Sequence, residues 1–215
     1  VQRPIRLLDG SEMRLTIARY YTPTGRFIQK PYDDFKSYKN DITQRFLNGE
    51  LMHVDSIKLP DSLKFSTKIK HRDVYSGGGI MPDYFVAIDT SDITDYFKDL
   101  NRGGHLNGFA LKYVNQNREE LKNKYPDFKS FKSSSVIDKE LMKKFNDYVQ
   151  HEDSTIKFNP EHYNISEKLI KLRLKANIAL NLWGYGEFYE TFNDRNEELQ
   201  KALALLNSNI DLFKN

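Results

Sequence analysis

The chain has 215 residues, of which 39% are hydrophobic and 29% charged, and its 33 Lys+Arg against 30 Asp+Glu leave a net charge of +3. That composition describes a globular chain of one large or two small domains. A spanning helix is excluded, because the longest wholly apolar runs, residues 84–88 and 202–206, are five residues long where roughly 20 are needed. The absence of cysteine removes disulfide scaffolds, zinc–thiolate sites, iron–sulfur clusters and cysteine nucleophiles together, and leaves the compartment open. With 14 Phe and 13 Tyr the chain has the apolar area for a packed core despite a mean hydropathy of -0.69, so global disorder is not expected.

In chain order, Val1-Gln2-Arg3-Pro4-Ile5-Arg6-Leu7-Leu8 has the composition of a strand already under way, with no cap or signal sequence before it. The chain is therefore expected to be a piece of a longer polypeptide. Asp9-Gly10 follows as hairpin-turn chemistry, since both residues tolerate positive φ. Beyond it Met13, Leu15 and Ile17 alternate with Arg14, Thr16 and Ala18, a period of two that predicts a strand with one buried face. Thr22-Pro23-Thr24-Gly25 predicts a second turn. Residues 32–72 have mixed character and read as an insertion, with a short amphipathic helix on Phe35, Tyr38, Ile42 and Phe46 that ends near Asn48-Gly49. After Gly77-Gly78-Gly79 and Pro82-Asp83, the apolar run at residues 84–88 predicts a strand buried on both faces.

From Ser91 the period becomes helical. Ser91-Asp92 is expected to cap a helix carrying Ile93, Tyr96, Phe97 and Leu100, stopped by Gly103-Gly104. A second carries Leu106, Phe109, Ala110, Tyr113, Val114 and Leu121 and ends before Pro126. A third spans 136–150 with Ser135 as its cap, a fourth runs from Ser166 to Trp183, and a last one covers 197–207. Residues 1–90 hold 14 Lys+Arg and 11 Asp+Glu, and residues 91–215 hold 19 of each, so the small positive excess lies with the strands.

No complete active site follows from residue chemistry alone. The five histidines show no HExxH or His-x-His spacing and read as surface or loop residues rather than metal ligands. Ser76-Gly77-Gly78-Gly79 leads into a predicted strand and lacks P-loop and GxGxxG spacing, which favours a turn over a phosphate site. Bases and acids interleave along the chain despite a pI near 8.8, so nucleic acid is not an expected partner. The lysines of residues 64–70 suit the solvated face of an edge strand. Ser133-Ser134-Ser135 has neither a GxSxG elbow nor an S-x-x-K pair to activate a nucleophile.

One stretch is specific. Asp9-Gly10-Ser11, then Leu15-Thr16, Ala18-Arg19-Tyr20-Tyr21-Thr22-Pro23-Thr24-Gly25-Arg26 and Ile28-Gln29, resemble the segment after the active-site lysine of the carboxyl-terminal processing peptidases, the tail-specific serine proteases. A second family element, G-x-G-I-x-P-D, has its counterpart in Gly77-Gly78-Gly79-Ile80-Met81-Pro82-Asp83. Val1-Gln2 resembles the end of the family's F-G-K-G-x-V-Q motif. The resemblance implies that the catalytic lysine and serine lie upstream of Val1, with a substrate-capturing PDZ domain further upstream.

In such an enzyme a serine hydroxyl attacks the peptide carbonyl after a neutral lysine takes its proton. By resemblance Gln2 is the third member of a Ser–Lys–Gln triad, orienting the lysine; the alternative is a strand glutamine with no catalytic part. Arg19, Tyr20, Tyr21, Pro23, Gly25 and Arg26 are expected to be active-site scaffold, and Asp83 to cap a turn.

The expectation is thus an α+β chain: the β-rich end of a Clp-protease- and crotonase-like α/β protease core over residues 1–90, with the insertion at 32–72, followed by an all-helical C-terminal domain over 91–215. The resemblance implies cleavage of proteins near their C-termini, a protein or peptide substrate, a possible homo-oligomer, no cofactor or metal, and a periplasmic or cell-envelope location. The alternative function is a protein-interaction or dimerisation module built on residues 91–215.

Overall fold

A computed structural model describes residues 1–208. The chain is α+β and divides into two compact units, one over Val1–Ile88 and one from Asp89 onward.

In the first unit, β1 (Gln2–Arg6) and β2 (Glu12–Thr16) form an antiparallel hairpin with Gln2 opposite Thr16 and Ile5 opposite Met13. Asp9 and Gly10 make the turn as expected: Gly10 donates to the Leu7 carbonyl at 3.1 Å, and Asp9 Oδ1 accepts from the Ser11 amide at 3.0 Å. The predicted helix forms in two pieces, α1 (Phe35–Lys39) and α2 (Asp41–Leu47), broken at Asn40. A second two-stranded sheet joins β3 (Lys64–Ser66) to β4 (Asp73–Tyr75).

The expected burial does not occur in this unit. Met13, Leu15 and Ile17 are exposed, and no residue from 1 to 88 is buried. A two-stranded ribbon has no second layer against which its apolar face could pack. Residues 84–88 form no strand, and Tyr84 and Ile88 are exposed. Apolar content suits a strand only where a neighbour can take its amides and carbonyls. Here the Ile88 amide donates to the Leu51 carbonyl in a loop.

The second unit is helical: α3 (Asp95–Arg102), α4 (His105–Lys124), α5 (Phe128–Lys132), α6 (Lys139–Glu152), α7 (Pro160–Leu182), α8 (Tyr185–Phe192) and α9 (Glu197–Asn207). Tyr96, Phe97 and Leu100 of α3, the Leu106, Phe109, Ala110 and Val114 face of α4, and Leu141, Phe145 and Val149 of α6 recur at helical spacing and are buried. Together with Phe131 of α5 and Ile170, Leu174 and Ile178 of α7 they form one continuous core. The longest helix, α7, packs against α3, α4 and α8. Arg173 of α7 lies 4.7 Å from the ring centre of Phe192 at the end of α8, a cation–π contact that helps seat that helix.

Three helix starts differ from those expected, and in each the true cap is a side-chain oxygen that accepts an otherwise orphaned amide. Thr94, not Ser91-Asp92, caps α3. Asp138, not Ser135, caps α6. Asn159 caps α7 with Pro160 in its first turn, six residues before Ser166. The short helices α5 and α8 carry no expectation from the sequence. By contrast, α9 has the expected bounds, with Asn196 as its cap.

Candidate functional site

The turn after β2 is built by Thr22, whose amide donates to the Arg26 carbonyl at 2.9 Å and whose carbonyl accepts from Gly25 at 2.8 Å. Gly25 has φ +84°, where any other residue would be strained. Pro23 presets the first corner of the turn.

From this turn the chain runs into the glycine-rich loop. The Phe27 carbonyl accepts from the Gly77 amide at 2.9 Å and from Ser76 Oγ at 2.6 Å, and Gly79 donates to the Ile28 carbonyl at 2.8 Å. Arg26 Nη1 donates to the Tyr75 carbonyl at 3.3 Å, while its Nε is buried without a hydrogen-bond partner. Two motifs some fifty residues apart are thereby side by side.

Phe27 is the anchor of the cluster. The Arg19 guanidinium lies 5.4 Å from its ring centre and the Tyr21 ring 5.7 Å away. Tyr20 is 70% exposed. Asp83 is ion-paired with Arg72 and precedes no strand. Gln2 opens β1 with its side chain exposed, and among the described residues that side chain makes no hydrogen bond. The ladder extends past Gln2, with the Ile17 amide bonded to the Val1 carbonyl at 3.0 Å. No hydrogen bond or ring contact joins Gln2 to the residues from Arg19 to Arg26.

In the helical unit, Ser134 Oγ donates to the Phe131 carbonyl at 2.6 Å, and the Lys132 and Ser134 carbonyls accept from Lys175 Nζ at 2.6 and 2.8 Å. The serine run is thus part of a helix terminus. Desolvation lowers the Lys175 pKa, yet both hydrogen bonds go to carbonyls and no hydroxyl is activated by it. His105 departs from the surface placement expected of the histidines: it is 8% exposed, against Tyr148, with Nε2 3.7 Å from Asp153 Oδ2. Its position in the first turn of α4, directly after Gly104, turns it inward. Among the described residues no group of three or more His, Asp or Glu could hold a metal ion, and no helix is long and apolar enough to cross a membrane. Among the described residues of the unit, one cleft lies between α6 and α7 and another between α4 and α6.

Residues 96–184 match the model of a family described as a family of unknown function, DUF8443. The match lies wholly within the helical unit. No curated protein and no solved structure matches the chain.

Proposed function

We propose that this chain is the C-terminal part of a serine-type carboxyl-terminal processing endopeptidase, acting at the periplasm or cell envelope. On this reading residues 1–90 complete the β-rich end of a Clp-protease- and crotonase-like core, and the helical unit follows as an appended domain. The observation that supports it best is the pairing of the two motifs of the resemblance: the Phe27 carbonyl holds the Gly77 amide at 2.9 Å and the Ile28 carbonyl holds Gly79 at 2.8 Å. Motifs that belong to one site must converge, and these do. The free amide of Gln2 at the head of β1 suits a group that orients a lysine amine, accepting from it through Oε1. The uncovered face of the β1–β2 hairpin suits a sheet edge that the rest of a core would cover.

The 215-residue chain by itself holds no serine–lysine pair of this type and is proposed to be inactive. Two measurements test the reading. The codons ahead of Val1 are expected to encode a serine and a lysine in the family's motifs; their absence overturns it. In the chain so completed, Gln2→Ala is expected to lower turnover of a protein substrate by at least about tenfold, and unchanged turnover removes Gln2 from the triad.

A second reading is favoured by a different observation. The only buried core among the described residues is that of the helical unit, which also carries the family match. That unit suits a protein-interaction or dimerisation module. Concentration-dependent self-association of the chain, unaffected by Gln2→Ala, supports it; a monomer that captures no partner counts against it.

A further inference from the structure

The cleft between α4 and α6 has a volume of about 360 Å³, within the range of roughly 300–1,000 Å³ typical of small-molecule sites. Its floor is aromatic. Phe109 and Tyr113 of α4 stack with their rings 11° apart, and Tyr148 of α6 closes on Phe109 at 5.5 Å. Gly108 makes this possible: a Cβ there would sit 2.6 Å from the Tyr148 hydroxyl, so the bare backbone of α4 admits the phenol. A glycine inside a helix is unfavourable, and here the cost is offset by the ring it lets in.

Several polar groups around this floor have no partner. Among the described residues the Tyr113 and Tyr148 hydroxyls and the Gln116 amide make no hydrogen bond. Asn117 departs from helical geometry at φ -124° and spends only its Nδ2, on the Tyr113 carbonyl at 2.8 Å. The cations at the rim are Lys112 and Lys144, with the His151 ring beside them, and no carboxylate lines the cleft. Lys112 lies 5.3 Å from the Tyr148 ring centre, which holds its ammonium over the floor. Its partner Glu152 at 3.6 Å, and Glu140 on Lys144 at 2.8 Å, are exposed pairs of the kind that exchange at little cost.

An aromatic floor, unpartnered donors and a one-signed rim are complementary to a flat apolar group that carries a negative charge. We propose that the α4–α6 cleft binds an aromatic carboxylate, its ring on Phe109, Tyr113 and Tyr148 and its carboxylate between Lys112 and Lys144. Such a group is supplied either by a small free acid or by the C-terminal aromatic residue of a peptide. The inference is independent of the peptidase reading, since it uses neither Gln2 nor any residue of the first unit.

The test is calorimetric titration of the whole chain with phenylacetate, phenylacetamide, and an acetylated tripeptide ending in phenylalanine as its free acid and as its amide. Each acid is expected to bind about tenfold more tightly than its amide, the scale of one charge-assisted hydrogen bond. Lys112→Gln and Lys144→Gln, both at exposed side chains and so expected to fold, should each weaken acid binding about three- to tenfold and leave amide binding unchanged. Tighter binding of the peptide acid than of phenylacetate assigns the site to a peptide C-terminus, and equal or weaker binding assigns it to small acids. Acids and amides that bind alike, acids that fail to saturate at millimolar concentration, or lysine variants with unchanged acid affinity overturn the proposal.

Discussion

The Thr94 and Ser166 hydroxyls lie 2.7 Å apart, which ties the N-cap of α3 to the second turn of α7. Ser166 is fully buried and also bonds the Asp92 carbonyl at 2.6 Å, while Thr94 accepts the Phe97 amide at 3.3 Å. One hydroxyl therefore satisfies both the approach to α3 and its cap. Ser166→Ala leaves these groups without their partner and is expected to cost about 1–3 kcal/mol. Urea unfolding followed by helical circular dichroism checks it; an unchanged midpoint would show that the hydroxyl is dispensable.

The two units should respond to truncation very differently. Phe145 is fully buried with its ring 5.3 Å from that of Phe109, so Phe145→Ala opens a cavity and is expected to cost about 3–5 kcal/mol. Leu15 is 51% exposed, and Leu15→Ala should stay within about 0.5 kcal/mol in the same chain. The same Leu15 variant in a longer chain that covers the hairpin should cost more. A large loss for Leu15→Ala in the 215-residue chain would contradict an uncovered β1–β2 face.

Alkali should unfold the helical unit through its buried phenols. Desolvation pushes the Tyr96 pKa up to about 12, and burial followed by Glu167 does the same for Tyr163, also to about 12. A pKa raised in the folded state marks stability that is complete below the unfolded value, near pH 10, and is lost as pH rises from there through the folded value. The melting temperature should fall between about pH 10 and 12, with late phenolate absorbance. Tyr96→Phe keeps a ring in place against Phe158, now 5.9 Å away, and should show a shallower fall. An equally steep fall in that variant would rule out Tyr96 as the group responsible.

What the sequence made legible depended on whether the signal was local. The β1–β2 turn needs only Asp9 and Gly10, and α9 only Asn196 and its leucines, so both are found where composition puts them. Helix starts were harder because several cap-competent residues stand in a row. Ser91, Asp92 and Thr94 differ only in which one reaches the first turn, and Ser166 has the composition of a start although it lies inside α7, where its hydroxyl bonds that of Thr94. The α5 and α8 helices, of five and eight residues, are too short for periodicity to distinguish them from loops. The run at 84–88 has the composition of a strand and forms none, because apolar content says nothing about whether a partner strand exists. In the turn cluster, Thr22-Pro23-Thr24-Gly25 and the glycine run are each legible as turns, but not their union at Phe27, which depends on pairing between distant segments. The α4–α6 cleft was invisible for the same reason: Lys112 and Lys144 belong to separate charged stripes until the two helices pack.

Acid should loosen the short helix α5 through its cap. Asp127 accepts the Ser130 amide at 2.8 Å, and this backbone hydrogen bond, with the Ser130 side chain second, holds its carboxyl below the usual carboxylate range. For a depressed pKa the stabilisation is present above the unfolded value, near pH 4, and is lost as pH falls through the lower folded value. Asp127→Asn keeps an oxygen acceptor at the cap but removes the titration. Its melting temperature should therefore decline less than that of the parent between about pH 5 and 2, while the two differ little at neutral pH. The residual decline would come from carboxylates such as Asp153, held low by Thr155. Parallel acid curves for parent and variant would show that protonation of Asp127 does not open α5.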